Sequence, residues 1–315
     1  MQLMRRPGQA ADNLPGKCVA TIGTFDGLHL GHRRILSRVM DTAQARQLPS
    51  VVLSFEPTPR EYFSDGTPPA RLTRFREKFD ALQTLGVNWM FCPPFDAVMQ
   101  SLEPDEFIQK LLVDTLGVQH LVVGDDFVFA HRRSGDVGHL HRAGERHGFS
   151  VEQVGSVLEE GHRVSSTEIR RLLAAGQMSE AKHLLGRHYA MTGRVVDGQK
   201  LGKKLGYPTA NVNLNRRASP VAGIFAVRVG GLATPNDKAG LLDGVASVGT
   251  RPTIDGIEPL LEVHIFDFDR DIYGEYIQVE FVAKLREEVK FPDLESMTEQ
   301  MHIDAAQARQ ILAAA

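Results

Sequence analysis

Residues 193–211 read GRVVDGQKLGKKLGYPTAN, and the organisation of the 315-residue chain turns on them. Residues 193–196 open as a strand, since β-branched residues after a glycine favour extended backbone. The chain then crosses a loop broken by Gly198, Gly202 and Gly206, with Lys200, Lys203 and Lys204 between them. Glycines let a backbone approach a ligand, and the lysines put positive charge beside it. Pro208 next fixes the backbone, and Thr209 and Asn211 follow two residues apart. In extended chain that spacing turns both oxygens to one face. A hydroxyl and an amide carbonyl are hard ligands suited to Mg²⁺, which keeps its other positions for water and phosphate. From the residues alone, the stretch fits either a nucleotide-phosphate and magnesium site or a basic surface hairpin.

The pattern differs on the two sides of this stretch. Before it, strand and helix alternate. Apolar strands are expected at 17–23, 50–55, 88–92, 120–124 and 149–154, with helices at 32–46, 75–85 and 104–116. Such alternation predicts an α/β domain with a parallel sheet covered on both faces, its ligands at the carboxyl ends of the strands. Two short helices, 168–173 and 178–185, close this half. After it, strands at 223–230, 244–249, 260–268 and 276–281 follow without intervening helices. Glycines and prolines punctuate them, which predicts a small antiparallel β-barrel. A last helix over 293–312 would pack Met297, Met301, Ile303, Ala308 and Ile311. The expected domains are 1–186 and 187–315.

Composition is that of an ordinary soluble protein, 42% hydrophobic and 24% charged. A net charge of -3 gives no basic field for nucleic acid or an anionic membrane. No stretch is long enough to span a bilayer, and no secretion signal is expected. Cys18 and Cys92 form no CxxC and no disulfide framework, so a reducing cytoplasm is expected.

The first half concentrates its chemistry at the end of its first strand, in residues 23–32, GTFDGLHLGH. His29 and His32 stand three apart where a helix opens, and helix N-termini favour anions. Two imidazoles there can donate to a phosphoryl group as its charge grows. Gly27 and Gly31 allow close approach. Taken singly, each histidine is as well explained as a surface or core residue. Residues 163–170, RVSSTEIR, open another helix. Ser165 and Glu168 there have the capping-box spacing, a sufficient structural explanation for that pair.

As ordered sets these segments resemble the bacterial bifunctional riboflavin kinase/FAD synthetase family. GTFDGLHLGH is similar to the GxFDGxHxGH motif of its Rossmann-like nucleotidyltransferase domain. Residues 124–129 (GDDFVF) and 133–136 (RSGD) resemble GxDFxFG and RxGD, 55–59 (FEPTP) resembles FEPHP, and SSTEIR resembles SSTxIR. In the second half, YPTAN and 260–268, LLEVHIFDF, resemble the riboflavin kinase signature and its catalytic-glutamate segment. The resemblance implies two ATP-dependent steps, riboflavin to FMN and FMN to FAD with release of pyrophosphate. It implies Glu262 as catalytic base and His29, His32 and Arg170 as catalytic residues of adenylyl transfer. Gly23, Phe25, Asp26, Gly27, Gly31, Asp126, Ser166 and Thr167 would hold ATP in the first domain. Gly198, Gly202, Lys203, Gly206 and Pro208 would do so in the second, with Mg²⁺ on Thr209 and Asn211. From the alternation alone Glu262 is equally a charged residue on a solvated strand face.

Departures stand at Thr24, Thr58 (for histidine), Ala130 (for glycine), Asp197 and Lys203. Two narrower readings follow: a kinase whose first domain has lost adenylyl transfer, fed by Thr58 and Ala130, and a flavin-binding module without turnover. The intact Glu262, His29 and His32 argue against the second.

Overall fold

The computed structural model describes residues 1–6, 16–66, 68–159, 161–198, 202, 205–232, 240–253 and 256–315. Lys200, Lys203 and Lys204 lie outside the described residues. The chain forms two compact units, residues 1–69 with 73–165, and residues 70–72 with 166–315.

The first unit is built on strands β1 (Gln2–Met4), β2 (Cys18–Ile22), β3 (Ser50–Leu53), β4 (Trp89–Phe91), β5 (Val118–Gly124) and β6 (Ser150–Val154). They form one parallel sheet in the order β1-β4-β3-β2-β5-β6. The order reverses between β2 and β5, which places the ligand crevice at their carboxyl ends. Alternate residues feed two cores. Ala20, Ile22, Leu53 and Leu121 face one, while Val19, Val52, Met90 and Val122 face the other side. Each such side chain contributes about 1.5–3 kcal/mol by leaving water. Helix α1 (Leu30–Arg46) buries Leu36, Val39 and Ala43, as its apolar spacing predicts, and two shorter helices follow it, α2 (Pro59–Tyr62) and α3 (Phe75–Thr84).

Several elements carry no signal in the sequence pattern. β1 is three residues long, and its pairing with β4 is set by tertiary contact. A helix at Val137–His147 begins at Asp136, which caps His139 N, and ends at Gly148 in the left-handed region. Histidines and arginines dilute its apolar stripe to Val137, Leu140 and Ala143. The expected helix at 104–116 runs Pro104–Phe107 and then widens to a π-helix over Ile108–Thr115. Cys18 is buried, its thiol donating to Leu116 O at 3.2 Å, and burial pushes it up to about 12, so it is a packing residue.

Ala130, at the position where the family motif carries glycine, has φ 66° and ψ −172°. That region is essentially reserved for glycine, and a Cβ there costs roughly 1–3 kcal/mol. Ala130→Gly relieves that strain at some cost in chain entropy. The expected result is a thermal midpoint higher by about 2–4 °C, read by scanning calorimetry. A lower midpoint would mean that Ala130 is held by packing that the glycine loses.

A short antiparallel ribbon, β7 (Leu158–Glu159) and β8 (His162–Arg163), ends the first unit, and the second carries β9 (Tyr189–Val196), β10 (Ala210–Asn213), β11 (Gly223–Gly230), β12 (Leu242–Thr253), β13 (Gly256–Ile265) and β14 (Tyr276–Arg286). They close into a barrel, β10-β13-β12-β11-β14-β9, with β9 pairing back to β10. All of its pairs are antiparallel. Met191, Val212, Phe225, Val227, Leu261, Val263, Ile277 and Phe281 are fully enclosed. β13 starts at Gly256 and ends at Ile265, short of the expected 268, and Asp267 beyond it takes φ 53°.

Two helices precede the barrel, Ser166–Ala174 and Met178–Leu185, the second ended by Gly186 in the left-handed region. The final helix (Leu294–Ala314) lies on the barrel wall through Ala305, Ala308 and Leu312, with Met301 and Ile311 at the margin. Ile303 is a correction: it is 53% exposed. The stripe that meets the barrel runs 301, 305, 308, 312, and position 303 falls outside that three-to-four spacing.

Candidate active sites

In the second unit the pairing register builds the site. Asn211 on β10 lies directly across from Glu262 on β13, and Glu262 lies across from Ser247 on β12. Leu261 and Val263 point into the barrel, so Glu262 projects from its outer wall. Thr209, Glu262, His264 and Ser247 line a pocket of about 100 Å³, closed by Tyr207 and by Asp304 of the last helix. Burial, and secondarily the Glu288 carboxylate, hold Glu262 above the usual glutamate range. Glu288 is itself gripped by Ser247 Oγ, which donates to its Oε1 at 2.8 Å. A half-buried, raised carboxylate beside two neutral oxygen ligands is suited to accept a proton.

The expected loop glycines have steric reasons to be glycine. A Cβ on Gly198 would collide with the Asn211 amide, and one on Gly202 with Tyr207 O. Gly206 has φ 84°, a turn that delivers the chain into Tyr207 and Pro208. Pro208 O is 2.9 Å from His264 Nδ1, so the ring's N–H anchors the PTAN segment to β13. Tyr207 bonds His302 through its hydroxyl and edges His264. Gly198→Ala should therefore displace Asn211. The expected loss in FMN formation is about 100-fold, with the far-UV spectrum unchanged. An unaffected rate would show that the Asn211 position is not critical.

A wider depression of about 520 Å³ runs along the last helix, lined by Leu294, Glu295, Thr298, Glu299 and His302. It is a flat open surface of one helix and holds none of the expected site residues.

In the first unit, residues 23–32 form a tight loop from the end of β2 into α1. Phe25 and Leu28 take φ 49° and 44°, and both side chains are buried. Gly27 N donates to Thr73 Oγ1 at 3.0 Å. Asp26 Oδ1 accepts from Thr73 N at 2.8 Å and from its hydroxyl at 3.2 Å. The side chains of Phe25 and Asp26 thus hold the loop's shape. Gly23 and Gly31 admit the neighbouring rings, since a Cβ would stand 3.0 Å from Phe25 Cε2 and 3.2 Å from His29 Nδ1.

His29 caps α1, its Nδ1 accepting from His32 N at 3.3 Å. The two imidazoles stack with centroids 3.6 Å apart. Burial, then His29, then Lys78 hold His32 well below the usual histidine range, so it is neutral. Its Nδ1 is buried without a hydrogen-bond partner, as is Arg33 Nε. Orphaned nitrogens at a helix N-terminus are what an anion site leaves when described without its anion.

Asp126 pairs with Arg163 at 2.5 Å, and Asp125 accepts from Ser156. Ser166, Thr167 and Arg170 belong to the second unit, on its first helix. There Arg170 Nε donates to Ala70 O at 2.6 Å and Nη1 to Ser166 O at 3.1 Å.

Two features had no sequence signal. Aromatic rings from distant positions gather beyond the ends of β3, β4 and β5. Phe55 meets Phe95 and Phe107, Phe107 meets Phe129, and Phe129 stacks on Phe127, with centroids 5.1–6.3 Å apart. Tyr62 and Phe63 extend the cluster outward, Phe63 being 60% exposed. The other is Lys78, fully buried on helix α3 (Phe75–Thr84). Among the described residues no group of three or more acidic, histidine or cysteine side chains could hold a metal. Thr209 and Asn211, as neutral oxygen donors, still fit an ion that keeps water and phosphate as ligands.

No helix among the described residues is long and apolar enough to cross a membrane. Residues 11–168 match the family model for FAD synthetase, and residues 185–312 match that for riboflavin kinase. The chain is 42% identical over 310 residues to the bifunctional riboflavin kinase/FMN adenylyltransferase of Haemophilus influenzae, covering 98% of each. It is 46% identical over 299 residues to that of Pseudomonas fluorescens, covering 94% of this chain and 93% of the relative. A solved structure from Streptococcus pneumoniae, named a macrolide-efflux protein, superposes with a TM-score of 0.81 at 29% identity, covering 96% of both chains. With a synthetase motif set on its parallel sheet and a kinase motif set on its barrel, the chain belongs to the family of bifunctional riboflavin kinase/FMN adenylyltransferases.

Proposed function

We propose that the barrel, within residues 187–315, phosphorylates riboflavin, and that residues 1–186 join the resulting FMN to AMP. The observation that carries the reading is the register pairing of Asn211 with Glu262, which lines one pocket with Thr209. Glu262 accepts the proton of the ribityl 5′-hydroxyl as its oxygen attacks the γ-phosphate of ATP. Its raised affinity for protons brings it nearer the operating pH. Thr209 and Asn211 would hold Mg²⁺, which when bound neutralises charge on the phosphates. Gly198, Gly202, Lys203, Gly206 and Pro208 are the proposed ATP contacts in this unit.

In the second reaction the FMN phosphate is the nucleophile, attacking the α-phosphorus of ATP as pyrophosphate leaves. A phosphate ionised at neutral pH needs no strong base, which suits neutral histidines that donate hydrogen bonds. His29 and His32 are proposed to stabilise the transferring group, with backbone of the 23–31 loop close to it. Arg170, Ser166 and Thr167 are proposed ATP-phosphate donors, and Asp126 a nucleotide contact, on motif grounds. The aromatic cluster around Phe127 and Phe129 offers a stacking surface for the isoalloxazine ring. Two buried cysteines suit a reducing compartment, so we place the protein in the cytoplasm.

The test is a chromatographic time course of riboflavin with ATP and Mg²⁺. FMN should appear first and FAD after it. FMN accumulating without FAD would overturn the assignment of the first domain. Unchanged riboflavin would overturn that of the barrel.

A further inference from the structure

Thr209 stands one residue ahead of β10, whose pairing begins with Ala210 opposite Val263. The ladder that fixes Asn211 therefore does not fix Thr209, whose place depends on what holds the chain just before it. Tyr207 is buried there, and its contacts run in three directions. Its N–H donates to Gly202 O at 2.8 Å, closing the turn of the glycine loop. Its ring meets His264 edge-on with centroids 5.0 Å apart, and His264 Nδ1 lies 2.9 Å from Pro208 O. Its hydroxyl bonds His302 Nδ1 on the last helix, and those two rings stand edge to face at 5.2 Å.

The helix that carries His302 is a firm support. Ala305, Ala308 and Leu312 are buried in one cluster with Tyr207 and Phe266. Arg286 of β14 grips Asp304 through two bonds of 2.9 and 2.6 Å, and Arg309 reaches Asp267 through two of 2.8 and 3.0 Å. His302 itself is exposed, so its ring is not there to fill the core. Resting on the reading of Thr209 as a ligand of the Mg²⁺ that accompanies ATP, we propose that His302 is a positioning residue of riboflavin phosphorylation. From the last helix it holds the Tyr207 hydroxyl, and through Tyr207 and the rigid Pro208 it sets where Thr209 Oγ1 stands. It touches neither metal nor substrate. Groups that orient a metal ligand in this way are typically worth roughly 10- to 100-fold in affinity or rate.

The experiment compares His302→Ala, His302→Asn, Tyr207→Phe, the His302→Ala/Tyr207→Phe double variant and Thr209→Ala in the full chain. His302→Ala and Tyr207→Phe should each raise the free Mg²⁺ needed for half-maximal FMN formation by about 10-fold. The double variant should be no worse than either single one, because both remove the same bond. His302→Asn, whose amide reaches the Nδ1 position, should recover most of the loss. Hydrogen exchange read by mass spectrometry should quicken at residues 205–210 of His302→Ala and stay unchanged in β11. Additive losses, or faster exchange throughout the barrel with a lower thermal midpoint, would make His302 a merely structural residue and overturn the proposal. An unchanged Mg²⁺ requirement in His302→Ala beside a crippled Thr209→Ala also overturns it, while sparing Thr209 as a ligand. Wild-type FMN formation by Thr209→Ala would overturn the reading on which the proposal rests.

Discussion

Glu262→Gln is expected to lower FMN formation by about 10²–10⁴-fold while FAD formation from supplied FMN continues at the wild-type rate. The amide keeps the shape of the side chain between Asn211 and Ser247 but cannot accept the 5′-hydroxyl proton. The wild-type kinase rate should fall as pH drops through the raised Glu262 value, because a protonated carboxyl is no base. Stability should move the opposite way. Glu262 holds its proton more tightly in the folded chain than in the unfolded one. Its stabilising contribution is therefore complete below the unfolded value and is lost as pH rises through the folded one. Glutamine removes that loss, so the midpoint of the variant relative to wild type should climb as pH rises above the ordinary glutamate range. A variant that loses both activities while still folded would defeat the division of labour. One that keeps FMN synthesis would remove Glu262 from the chemistry.

The second large effect is expected at His32. His32→Ala should reduce FAD formation by about 10²–10³-fold, the range for deleting one donor to developing charge, with riboflavin phosphorylation intact. Because burial, His29 and Lys78 keep its imidazole neutral, the wild-type rate should show no ionisation near about 6.5 that His32→Ala abolishes. Steady-state FAD synthesis across that pH range checks both statements. A histidine step near that value that disappears in the variant would mean that His32 works as an imidazolium.

The strand-helix alternation before residue 186 and its disappearance afterwards were enough to read a parallel sheet and a barrel, because periods of 3.6 and 2 record which faces are buried. What escaped reading was decided by partners far along the chain. Gln2–Met4 is a strand only because Trp89–Phe91 offers its edge. Ile303 looked like a core residue because it is isoleucine, yet the barrel meets the turn positions on either side of it. Within the sites, Thr209 and Asn211 were legible from spacing, but their conjunction with Glu262 depends on a register between residues about fifty apart. Lys78 gave no signal, since a lysine in an amphipathic helix ordinarily faces water. The collision of a Gly198 side chain with Asn211 likewise belongs to the folded loop and not to any pattern in the letters.

Closure of the barrel has a consequence for how the protein is made. Tyr189 pairs with Phe281 and Arg194 with Tyr276, so the first strand of the ring waits for its last. Ordering so long an intervening chain before those bonds form is entropically slow. During synthesis the parallel sheet has all of its strands once residue 154 has emerged. The ring cannot close until β14 is free of the ribosome. Every newly made molecule therefore passes through an interval in which its sheet can be complete while its barrel is still an open set of hairpins with exposed edges. That interval, rather than the finished protein, is when this chain is most open to proteolysis and to pairing with its neighbours.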